Sequence, residues 1–215
     1  MAQLFHRSTN TIARVSIFGA VFFVAFLLWV FATLDRSPYS SGQGVIIEQP
    51  VPFSHDHHTA ALGISCVYCH TSVEEAAFAG IPPTTTCINC HKLIWNQTEM
   101  LAPVRESLDK NEAIEWIRVH DLPDYVYFNH SVHLARGIGC VSCHGRVDEM
   151  PLIRQAKPLT MQWCLDCHRD PQDHVRPRDQ VLNMAWSTDD QATLGPRLVE
   201  EYGIESLTSC SVCHR

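Results

Sequence analysis

Ten cysteines occur in this 215-residue chain, and all ten fall within five C-x-x-C-H elements. They are CVYCH (Cys66, Cys69, His70), CINCH (Cys87, Cys90, His91), CVSCH (Cys140, Cys143, His144), CLDCH (Cys164, Cys167, His168) and CSVCH (Cys210, Cys213, His214). Two thiols at this spacing reach one edge of a porphyrin and form thioethers to its vinyl groups. The imidazole that follows turns under the iron as an axial ligand, which is the attachment pattern of c-type haem. A disulfide framework gives no reason for a histidine after every second cysteine, and zinc sites built from two pairs each leave one of the five pairs over. Five covalently bound haem c groups are therefore predicted.

A six-coordinate iron needs a second axial ligand, and an internal repeat indicates where four of them lie. VPFSHDHHTAALGISCVYCH (residues 51–70) and VYFNHSVHLARGIGCVSCH (residues 126–144) match at Phe53, His55, His58, Gly63, Ile64 and Cys66 against Phe128, His130, His133, Gly137, Ile138 and Cys140, with one residue fewer in the second copy. The match continues beyond the haem motif, Val73-Glu74-Glu75 against Val147-Asp148-Glu149. Each copy is followed by a second motif, at Cys87 and at Cys164, preceded by IPPTTT and KPLTMQW. The two histidines of each F-x-H-x-x-H element stand about one helical turn apart, so one can reach the first haem of its module and the other a neighbour. His55, His58, His130 and His133 are the expected distal ligands. For the fifth iron the candidates are Met150, Met161, His120, His174 and Met184. Met150 is taken first because it replaces Ala76 of the first copy, Met161 second and His120 third. His57 has no counterpart in the repeat and is expected in solvent.

Residues Thr11 to Leu34 hold one charge, Arg14, and Val15 to Leu34 hold none. Twenty helical residues match a hydrocarbon core of about 30 Å. The run is longer than the apolar region of a secretory signal, and Phe31-Ala32-Thr33-Leu34 is a poor cleavage site, so an uncleaved transmembrane anchor is expected. Arg7 and Arg14 before it favour a cytoplasmic amino terminus, with His6 near the headgroups and the haem segment outside. The formal charge of −7 argues against nucleic acid as a partner.

The residues after the anchor are too few to build a core around each of five haems, so haem faces must serve as core. The expected fold is a multihaem cytochrome c, mostly α and irregular, with one amino-terminal transmembrane helix. Its divisions are a cytoplasmic terminus and anchor over 1–36, a linker over 37–50, a first dihaem module over 51–95, a helical connector over 96–125, a second dihaem module over 126–178 and a tail with the fifth haem over 179–215. Within the connector Glu106 to Ile117 has the spacing of an amphipathic helix, and another is expected from Gly195 to Tyr202.

The order of these motifs carries a resemblance. The F-x-H-x-x-H element ahead of C-x-x-C-H resembles that of the small class III multihaem cytochromes. The series TAALGISCVYCH, AGIPPTTTCINCH, VHDLPDYVYFNHSVH, GCVSCHG, MQWCLDCHR and CSVCHR behind one anchor is similar to the pentahaem cytochrome c subunit of bacterial alternative complex III. That resemblance implies a periplasmic electron-transfer subunit of a quinol:electron acceptor oxidoreductase that replaces the cytochrome bc1 complex. It also implies partners: a large iron–sulfur subunit, polytopic quinol-binding membrane subunits, and a monohaem cytochrome c or haem-copper oxidase as acceptor. The alternative is a membrane-anchored quinol dehydrogenase or a reductase with its own open haem. A reductase is often marked by a changed proximal ligand, whereas all five here are histidine.

Overall fold

Length and hydropathy produce the first element. In the computed structural model, which describes residues 5–214, helix α1 runs Ser8–Asp35, three residues earlier and one later than the apolar run alone. It is long and apolar enough to cross a membrane, and none of its residues is buried. A single helical turn, α2 (Pro38–Ser41), follows and is ended by Gly42 at φ +68°. The chain divides here into two compact units, one ending at Gly42 and one starting at Gln43.

The second unit begins by docking on its own later residues. Gly44 N–H donates to the Gln155 carbonyl, the Gln43 amide donates to the Ala156 carbonyl, and Ile46 pairs with Arg154. Residues 43–46 thus lie against the chain instead of running free as a linker.

Short helices then carry the motifs. α3 (Cys66–Cys69), α7 (Cys140–His144) and α10 (Cys210–Cys213) are single turns, each entered from an extended residue, Ser65, Gly139 or Ser209. One turn suffices, because residues three apart share a helix face. The second motif of each module closes a longer helix, α4 (Thr84–His91) or α8 (Met161–Arg169).

The connector departs from its sequence pattern. α5 spans Ala102–Lys110, with proline in its first turn and Asn111 in the left-handed region at its end. Residues beyond Asn111 leave the helix, and Ile114 and Trp116 pack on Val51, Leu101 and Val104. The helix expected over Glu106 to Ile117 is therefore shifted toward the amino terminus. α9 (Gln191–Tyr202) starts four residues before the expected Gly195 and ends at Gly203, φ +58°.

The repeat is visible in the backbone, and its length difference has a local cause. The second copy forms α6 (His130–Ala135), whereas the first forms a π-helix over Asp56–Ala61. A π-turn absorbs one extra residue without moving its flanks. The same bond then closes both elements, Ile64 N–H to the His58 carbonyl and Ile138 N–H to the His133 carbonyl, after Gly63 at φ +67° and Gly137 at φ +75°.

Side chains alone fill little of the interior. One cluster joins Val51, Leu101 and Val104, another joins Val175, Leu198 and Tyr202, and Val175 is the large side chain that is fully buried among the described residues. So sparse a set is what a chain looks like when its core is to be supplied by something it binds.

Candidate haem-binding centre

Phenylalanine organises each F-x-H-x-x-H element. The Phe53 ring meets His55 edge-on at 4.8 Å and stacks on His58 at 4.3 Å. Phe128 does the same to His130 at 4.8 Å and His133 at 4.5 Å. The two imidazoles of an element are thereby held apart, each facing a different C-x-x-C-H histidine. His130 faces His144 with centroids 6.3 Å apart and ring planes at 11°. His133 faces His168 at 6.1 Å, and His58 faces His91 at 6.2 Å. For His55 the observation is electrostatic: after burial, the charge of His70 is the next largest influence that lowers it. With a metal–nitrogen bond of about 2.0 Å, two imidazoles on opposite sides of one metal have centroids about 6 Å apart. The donor set therefore fits haem on an observation that owes nothing to motif spacing.

Hydrogen bonds to the far side of the rings fit it too. Nδ1 of His70 lies 2.7 Å from the Gly80 carbonyl, His58 2.8 Å from Ser54, His133 2.7 Å from Asn129, and His130 2.7 Å from Ala77. His91 and His214 direct Nδ1 to Ile94 and Tyr125 at 3.1 and 3.2 Å. A carbonyl only accepts, so Nδ1 carries the proton and Nε2 keeps its lone pair for iron. These acceptors are backbone atoms, and no sequence motif names them. Burial acts in the same direction: it pushes His144 down to about 3 and His55 to about 4, so both rings are neutral.

None of the ten cysteines is paired in a disulfide, and burial pushes the Cys143 side chain up to about 12 and Cys167 to about 11. Burial also raises Cys66, Cys69, Cys87, Cys140 and Cys164.

The remaining candidates are scattered. Met150 is 3 % exposed with its methyl beside Gly145. Met161 is 66 % exposed at the start of α8, and His174 is exposed. Met184 lines a cleft with Ser65 and Cys66. His57 is exposed, as expected, and stacks on Trp95 at 6.0 Å. His120 comes closer to a C-x-x-C-H histidine than its rank suggested, 4.3 Å from the His144 ring, with a buried Nε2 that has no partner among the described residues. The tail is tied to the start of the second module, Tyr127 N–H donating to the Cys213 carbonyl and Val126 pairing with His214.

Parts of the sequence are similar to known proteins. Residues 126–215 match the family model described as cytochrome c7 and related cytochrome c. A stretch of 98 residues, 45 % of this chain, is 35 % identical to a protein of Nitratidesulfovibrio vulgaris (strain Hildenborough) named "Menaquinone reductase, multiheme cytochrome c subunit". The chain spans about half of that relative, 46 % of its length. Over the second repeat and tail, paired cysteines each followed by histidine and second imidazoles about 6 Å away coincide with the match to cytochrome c7 and related cytochrome c, and the described residues are mostly helical and irregular.

Proposed function

We propose that this chain carries five haem c groups and is the electron-transfer subunit of a quinone-linked respiratory complex. In this reading it is anchored by α1 and holds its haem segment on the periplasmic side of the cytoplasmic membrane. Bound haem c supplies one-electron exchange between ferric and ferrous iron. The cysteine pairs fix five such groups, and His70, His91, His144, His168 and His214 are the proximal ligands. Four sites are completed by His55 with His70, His58 with His91, His130 with His144 and His133 with His168. Imidazoles on both sides leave no iron position for a substrate, so these residues favour electron transfer over bond-making. The observation that carries the proposal is the trio of imidazole pairs at 6.1–6.3 Å. At the fifth site His214 is proximal and Met150, a buried thioether, is the proposed sixth ligand, ahead of Met161 and His120.

The order of motifs supports placement in a quinol-oxidising assembly of the alternative complex III kind, beside an iron–sulfur subunit, polytopic quinol-binding subunits and a monohaem cytochrome or haem-copper oxidase. The name of the Nitratidesulfovibrio relative favours a second reading in which electrons run toward menaquinone. Rapid mixing of the purified complex with menaquinol, followed at the haem α-band, separates them. Haem reduction by quinol is expected. Inertness toward quinol, together with fast oxidation of pre-reduced haem by menaquinone, would reverse the direction. A high-spin fraction near one haem in five would turn the proposal toward a reductase with its own open site.

A further inference from the structure

Arg176 is the one arginine among the buried polar side chains of the described residues, 6 % exposed. Its guanidinium fills the space in which a Cβ on Gly139 would stand, so it lies directly on the backbone that enters Cys140. The Trp186 ring covers it, with Cζ 4.8 Å from the ring centroid. Nη1 donates to the Asn183 carbonyl at 3.2 Å, while Nε is buried with no acceptor among the described residues. Arg176 takes no part in the ion pairs between described residues. The ionisable group that acts on it is the Cys140 thiol, and a cysteine consumed as a thioether has no charge to offer.

A guanidinium does not deprotonate in a protein, and burying one without an anion is strongly unfavourable. The free Nε beside the forked Nη groups suits a carboxylate, which accepts two parallel hydrogen bonds. Haem brings carboxylates of its own. The repeat shows that this cradle belongs to one module: the position of Gly139 is held by Ser65 in the first copy, where a side chain takes the room.

We propose that Arg176 binds a haem propionate at the Cys140 attachment loop and thereby sets the potential of one haem. The inference rests on the multihaem reading above. Arg176 is then a cofactor-binding residue outside every C-x-x-C-H motif. Without its charge the carboxylate is left unneutralised and favours the ferric state, so that haem's midpoint falls.

The test compares Arg176→Gln with Arg176→Lys in the full chain, by pyridine haemochrome count and spectroelectrochemical titration. Arg176→Gln is expected to lower one midpoint and leave the others, with Arg176→Lys between it and wild type. Loss of one haem in Arg176→Gln, with all retained in Arg176→Lys, also supports the proposal. Wild-type midpoints in Arg176→Gln overturn it, as does an equal shift of all midpoints. Equal unfolding of both variants overturns it as well, because charge is then not what matters. A wild-type count below five defeats the pentahaem reading instead and is seen before either variant is made.

Discussion

His130 donates its Nδ1–H to the carbonyl of Ala77, a residue 53 positions earlier that belongs to the other copy of the sequence repeat. The exchange is mutual. Ser131 N–H donates to the Ala76 carbonyl at 3.2 Å, and its repeat counterpart Asp56 N–H donates to the Met150 carbonyl at 3.3 Å, Met150 being the counterpart of Ala76. Each F-x-H-x-x-H element is therefore seated on the segment that follows the other repeat's first C-x-x-C-H motif. Two copies of a sequence have become a single interlocked site.

His133 faces His168 at 6.1 Å, so His133→Ala is expected to convert one low-spin haem to high-spin while the haem count stays at five. His133→Met should restore a low-spin signal and raise one midpoint, because thioether ligation stabilises ferrous iron. Low-temperature EPR with a redox titration checks both, and an unchanged spectrum in His133→Ala removes that histidine from the ligand set.

Cys140→Ala combined with Cys143→Ala should lower the haemochrome value by one haem per chain. With so few side chains fully buried, loss of a haem that serves as core should also lower the melting temperature. Five haems remaining in the double variant would show that these thiols attach none.

Gly63 and Gly137 occupy the same place in the repeat and both have positive φ, yet their surroundings differ. A Cβ on Gly63 meets nothing within 4 Å, whereas one on Gly137 meets the Arg176 carbonyl at 2.5 Å and the Tyr202 ring at 2.9 Å. Gly63→Ala should cost about 1 kcal/mol for the left-handed conformation. Gly137→Ala should cost a further ~1–3 kcal/mol for overpacking. Chemical denaturation of the two variants gives the order, and equal losses would contradict the packing described.

Met150→Leu keeps the volume of a side chain that is 3 % exposed, so the packing cost should stay under about 1.5 kcal/mol. If the sulfur is the sixth ligand of the fifth iron, this variant turns one haem high-spin and Met150→His lowers one midpoint. Unaltered spectra in both would assign Met150 to packing beside Gly145 and move the search to Met161 and His120.

The protein should stay with membranes through an alkaline carbonate wash, and its intact mass should include Ser8–Asp35. Removing residues 8–35 should release the haem segment to the soluble fraction. A mature start beyond about residue 30 would make α1 a signal instead.

Much of this was local and therefore legible in the sequence. The C-x-x-C-H motif lies within five consecutive residues and an apolar run sets the length of α1, so spacing places each cysteine pair beside its histidine and hydropathy places the helix. The repeat pointed to His55, His58, His130 and His133 because Phe, His and Gly recur at matching intervals. Which histidine faces which was not legible, since the pairing depends on how the chain returns over tens of residues: the first imidazole of the second element meets the first motif and the second meets the next. Nor did pattern locate the end of α5, where Asn111 stops the helix and lets Trp116 reach Val51 and Leu101. The Ala77 carbonyl and the Arg176 guanidinium were invisible for a further reason. A backbone oxygen has no letter, and an arginine becomes exceptional only when folding takes it out of water and lays it on Gly139, which tertiary packing alone decides.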